Sequence, residues 1–174
     1  MLFLSLVSAL AVSLPFAAAK PAYKIPAIMS KLVQEDDTCI MPEGFRIQKF
    51  RIWSSQAGSN RSVNINFEYT DDSTSINTCC HLNQSSANVG PPGLTPRYAC
   101  NNDTVQFIWQ NGTMTLVEKA CPQTGSHFEA AGSVTLNLTC TNTLFNSTAG
   151  AGSSCVSTKD PIEAIFTSLE PTPQ

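Results

Sequence analysis

VQFIWQNGTMTLVE, residues 105–118, decides the fold. Asn111-Gly112 stands between two runs of alternating apolar and polar residues. Both residues tolerate the positive φ that a type I′ turn requires, so this is the strongest short-range signal for a β-hairpin. A two-residue turn there sets Trp109 opposite Met114 and Phe107 opposite Leu116. Such cross-strand pairs contribute roughly 0.2–1 kcal/mol each. Glu118 is then expected at the outward end of the second strand.

The same period of two recurs on both sides of the hairpin. Val63, Ile65, Phe67 and Tyr69 alternate with Asn64, Asn66 and Glu68, the pattern of a strand with one buried face. Phe45 and Ile47 begin another strand, which resumes at Phe50 and Ile52. The step skipped at Gln48 and Lys49 predicts a bulge. Val134, Leu136, Leu138 and Cys140 form a further inward row, and Ile162–Leu169 reads as a short strand. Asp71–Ser75 reads as a turn, and Ser85–Pro96 and Ser147–Ser154 as loops. The expected class is all-β, an antiparallel β-barrel or sandwich of short strands stabilised by disulfides.

Ahead of this lies a different kind of sequence. Residues 1–19 combine an apolar run, Leu2–Phe16, with Ala17, Ala18 and Ala19, which reads as a signal peptide cleaved between Ala19 and Lys20. Residues 20–37 contain Pro21, Pro26 and the acidic Glu35, Asp36 and Asp37. Met29, Leu32 and Val33 suffice for one helical turn, but the stretch reads as a flexible N-terminal arm. Residues 38–170 form a single β-domain, and 171–174 a tail. The expected product is secreted and extracellular.

Charged residues make up 13% of the chain, about half the usual share, so Ser, Thr, Asn and glycans must keep its surface wet. A net charge of −3 argues against nucleic acid or an anionic membrane as partner. Six N-glycosylation triplets begin at Asn60, Asn83, Asn102, Asn111, Asn137 and Asn146. Chance would supply roughly two or three, so the excess favours real glycosylation.

Seven cysteines in an exported chain are first a disulfide framework with one thiol left over. Cys140 and Cys155 flank a Gly/Ser-rich loop, whose closure is worth roughly 3 kcal/mol. Cys79 or Cys80 joins Cys100 across the Pro-rich loop. The two neighbours face opposite sides of a strand and do not pair with each other. Cys39 and Cys121, each just outside a strand, are reasonable partners. The odd cysteine is then Cys79 or Cys80, or else Cys39 stays free to link a dimer.

No catalytic or metal-binding residue is assigned, and no cofactor is expected. Cys79, Cys80 and His81 leave only His127 as a second imidazole, which falls short of a zinc site. Asp71, Asp72, Glu118 and Glu129 are the acids from which a glycosidase pair would be drawn, but Asp71-Asp72 reads as a turn. Trp53 and Trp109 are read as core aromatics before sugar-stacking ones.

Cys39 followed by Glu43-Gly44-Phe45-x-Ile47-x-x-Phe50 resembles the opening strand of the fungal secreted family typified by the Alternaria major allergen. Arg97-Tyr98-Ala99-Cys100 followed by Val105-x-Phe107 is similar to that family's aromatic-x-Cys segment. Cys140 and Cys155, followed by Pro161–Leu169, resemble its C-terminal disulfide and last strand. The resemblance implies a secreted β-barrel, the bridge from Cys100 to Cys79 or Cys80, the Cys140–Cys155 bridge, and an interchain cysteine at Cys39. Cys121 and the doubled Cys79-Cys80 depart from the family pattern.

Together these readings point to a secreted, non-enzymatic binding protein, of the fungal effector, elicitor or allergen-like kind. Its partner would be an extracellular protein or a small-molecule or glycan ligand, with a disulfide-linked dimer through the odd cysteine. The alternatives are a cell-wall or carbohydrate-associated structural protein and, second, a secreted hydrolase.

Overall fold

A computed structural model describes residues 22–55, 63–143 and 152–173. The signal-peptide reading at Ala19 and Lys20 and the triplets at Asn60 and Asn146 lie outside the described residues. Among the described residues, eleven strands make two antiparallel sheets packed face to face. The first sheet runs β3 (Ile76–Leu82), β2 (Asn64–Asp71), β1 (Gly44–Ser55), β9 (Gly152–Ser157), β8 (Leu138–Thr143), with β10 (Ile162–Ile165) also on β1. The second runs β11 (Ser168–Pro171), β7 (Phe128–Thr135), β6 (Thr113–Ala120), β5 (Val105–Gln110), β4 (Tyr98–Ala99). The two sheets do not close into one barrel, so the arrangement is the sandwich form of the expected class.

The hairpin has the register that its turn dictates: Trp109 opposite Met114 and Phe107 opposite Leu116, with Asn111 and Gly112 at φ 52° and 78°. In β1 the pairing with β2 shifts between Gln48 and Arg51, and Lys49 sits at φ 53°. This bulge turns both Phe45/Ile47 and Phe50/Ile52 inward, where all four are buried. It also divides the strand between two neighbours, because Gly44–Ile47 pair with β10 and Arg51–Ser55 with β9. The Lys49 amide faces the Asp160 carboxylate at 3.2 and 3.3 Å.

Three expectations need correction. Val134 to Cys140 is not one inward row. The chain leaves the second sheet at Leu136 and enters the first at Leu138, so Leu136 is buried at the crossing while Cys140 is exposed. Ile162–Leu169 likewise divides into β10 and β11 on opposite sheets, with the fully buried Phe166 filling the corner between them. The third concerns the flexible arm expected over residues 20–37, which instead contains helix α1 (Ala27–Glu35). Met29 is buried in the core, and Tyr23, also buried, donates its hydroxyl to the Pro42 carbonyl. A helix this short is held by packing rather than by propensity, which is why local sequence signalled only a single turn.

The core is aromatic. Phe45 contacts Tyr69 and Phe166, with ring centroids 6.1 and 5.0 Å away. Phe67 meets Phe107 edge-on at 5.1 Å. Trp109, half-buried, lies 5.5 Å from Phe50 and so belongs to this cluster.

Candidate functional site

Two polar assemblies stand out against this apolar frame. The first lies inside it. Ile65, Phe67 and Tyr69 point inward from β2, and Asp71 continues their row; Met114 and Leu116 point inward from β6, and Glu118 continues theirs. Both acids have no exposed surface. The expectation of an outward Glu118 is therefore overturned, and Asp71 belongs to the strand rather than to the turn that starts at Asp72. Tyr69 donates its hydroxyl to Glu118 Oε2. Asp71 Oδ1 accepts from the Ser73 amide (2.7 Å) and hydroxyl (2.5 Å). Asp71 Oδ2, Glu118 Oε1 and Thr74 Oγ1 are buried with no partner among the described residues.

Burial pushes the Glu118 carboxyl up to about 7, with the charge of Asp71 adding to the rise and the Tyr69 hydrogen bond opposing it. Asp71 is raised by burial too, against hydrogen bonds from Ser73 and Thr74 that favour its charged form. Burial likewise raises Tyr69 and Tyr23, and neighbouring carboxylates reinforce both shifts. The assembly can hold a proton at neutral pH. The two acids line separate clefts, Glu118 one with Thr38, Thr74 and Asn102, and Asp71 one with Arg46, Asp72 and Glu163. The other two acids are engaged elsewhere: Asp72 receives both guanidinium nitrogens of Arg46, and Glu129 receives Arg97 Nη1 at 2.5 Å.

The second assembly lies on the outer face of the second sheet. The Pro-rich loop is tied at its base by Asn88, whose Oδ1 accepts from the amides of Gly90 and Arg97 at 2.9 Å each, while Val89 N–H donates to the Arg97 carbonyl at 2.9 Å. Between this loop and Thr172–Pro173 lies a cleft of about 270 Å³. The Arg97–Glu129 pair and Gln106 contribute its polar groups, and Val89, Pro91 and Pro92 its apolar wall. Arg97 and Glu129 are only 15% and 8% exposed. Nothing in the sequence joined these residues, since they come from a loop, β5 and β7.

The fold resembles that of a fungal allergen. Two crystal structures of the Alternaria alternata major allergen Alt a 1 are similar to it, each with a TM-score of 0.47. One is 15% identical, with coverage of 75% of this chain and 95% of the allergen's; the other is 13% identical, with coverage of 75% and 89%. No family model matches the chain, and no curated protein does.

The sequence resemblance places an interchain cysteine at Cys39, but here Cys39 is bonded to Cys121. The other bridges are Cys80–Cys100 and Cys140–Cys155. The alternatives left open by sequence thus close on Cys79 as the free and exposed thiol, so any interchain disulfide runs through it. On β3, Cys80 points into the core while Cys79 and His81 point out, and His127 is exposed in the loop before β7. Among the described residues no three His, Cys, Asp or Glu side chains are grouped to hold a metal ion. Of the glycosylation triplets, Asn111 at the hairpin tip and Asn137 at the sheet crossing are exposed. Asn83 and Asn102 are half-buried, each accepting from the hydroxyl two residues on, at 2.6 and 2.7 Å.

Proposed function

We propose that this chain is a secreted β-sandwich that acts by binding a partner outside the cell, not by catalysis. One observation carries the reading: three intrachain disulfides lock a sandwich whose candidate catalytic acids are all spent within the fold, buried or ion-paired. The bridges fit an oxidising, extracellular setting. A rigid scaffold with its loops outside is suited to recognition, because less freedom is lost on binding. The finer reading, a fungal effector, elicitor or allergen-like protein directed at a host, rests on the sequence resemblance alone.

The test is capture. Glycosylated protein secreted from a eukaryotic host is immobilised and exposed to host extracellular fluid and to insoluble wall polysaccharide. Selective, saturable retention of a component of either is the expected result, and a Cys79→Ser variant reports whether a covalent dimer is required. Turnover of a glycoside or ester substrate that disappears in Glu118→Gln or Glu129→Gln would overturn the reading.

A further inference from the structure

We infer that the cleft between the Pro-rich loop and residues 172–173 binds a single neutral sugar residue or similar polyol through Arg97, Glu129 and Gln106. This deepens the proposed binding function and rests on it. The argument begins with charge. Arg97 is already neutralised by Glu129 at 2.5 Å, so an anionic ligand would lie beside the Glu129 carboxylate and a cationic one beside the guanidinium. Each would meet repulsion in a site where both charges are largely withdrawn from water. A neutral ligand avoids both penalties.

The polar groups narrow the class further. A guanidinium has five N–H donors, and the described partner of Arg97 takes up only one nitrogen. Glu129 offers acceptors, and Gln106 offers both kinds. A hydroxyl group accepts and donates at once, so two adjacent hydroxyls can accept from Arg97 and donate to Glu129 together. A ketone or ether, which only accepts, lacks one half of that match.

Size and walls point the same way. About 270 Å³ lies just below the range of pockets for drug-sized ligands, which suits one ring rather than a chain of them. The wall of Val89, Pro91 and Pro92 is apolar and stiff, suited to the C–H face of a sugar. The Asn88 clamp holds the loop in place before any ligand arrives, which lowers the ordering cost.

The test uses the full chain made in a bacterial periplasm, which forms disulfides and adds no N-glycan to confuse the assay. Methyl glucoside, methyl mannoside, methyl N-acetylglucosaminide, acetate and methylammonium are titrated by NMR. At least one glycoside is expected to saturate, shifting the amides of residues 88–97, Gln106 and Glu129, with no saturation by either ion. Gln106→Ala leaves the ion pair intact and should weaken binding about tenfold, the loss of one hydrogen bond. Arg97→Gln/Glu129→Gln, which removes both charges together, should abolish it while the remaining amide spectrum stays folded. No saturation by any glycoside, preference for acetate, or shifts confined to another surface would each overturn the assignment. If the capture experiment still succeeds with the Arg97→Gln/Glu129→Gln protein, the broader binding reading survives the loss of this site.

Discussion

Glu118 shares the inward face of β6 with Met114 and Leu116, and its placement was legible in the hairpin. Once Leu116 is set inward opposite Phe107, a residue two further on must point the same way. Reading Glu118 as outward gave more weight to the usual exposure of a carboxylate than to parity, and Tyr69–Asp71 repeats the lesson on β2. The consequence is a pH dependence of unusual sign. In the unfolded chain Glu118 loses its proton near 4.5, whereas in the fold it keeps it to about 7. Between these values the folded state binds the extra proton, so stability falls as pH rises from about 4.5 to about 7 and is level above. Asp71, also raised by burial, adds to this slope. The loss assigned to Glu118 is about 3 kcal/mol. Urea unfolding from pH 4 to 8 should show this decline, and Glu118→Gln should flatten it and be the more stable protein at pH 8. A wild-type profile that is flat or rises across this range would refute the account.

At the scale of elements, local periodicity found the strands but not where they change sheet. The hairpin register and the β1 bulge depend on neighbours in sequence, and both were readable. The crossings at Leu136 and Phe166 depend on which sheet receives the next strand, which alternation does not encode. Helix α1 escaped for a similar reason, since Met29 is fixed by a core assembled from distant strands. The second crossing brings β10 against β7, and it needs Gly132. A Cβ there would lie 2.4 Å from the Ile165 carbonyl oxygen and 2.9 Å from the Phe45 ring. The backbone oxygen cannot yield without moving β10 from β1. Gly132→Ala should therefore cost about 2–3 kcal/mol in urea unfolding, in the upper range for overpacking, while the neighbouring exposed Ser133→Ala stays within about 0.5 kcal/mol. Equal effects for the two would show that the approach is looser than described.

For the molecule as a whole, the bridges differ in what they hold. Cys140–Cys155 joins two adjacent strands of one sheet across a separation of 15, where the hydrogen-bonded pairing of β8 and β9 already constrains the ends. Cys39–Cys121 spans 82 residues and fastens the segment after α1 to the end of β6, in the other sheet. That segment leads from Tyr23 and Met29, both in the core, to the start of β1. Closing the longer loop removes more unfolded-state freedom, about 4.5 kcal/mol against about 3 kcal/mol in the chain-entropy model. Cys39→Ser/Cys121→Ser should thus destabilise the protein by about 1.5 kcal/mol more than Cys140→Ser/Cys155→Ser, as read from urea midpoints under non-reducing conditions. It should also raise hydrogen exchange in residues 23–35, whereas the second variant should leave that segment protected. If the shorter bridge proves the costlier to lose, or the N-terminal segment stays protected without Cys39, then the core contacts of Tyr23 and Met29 hold that end of the sandwich without covalent help.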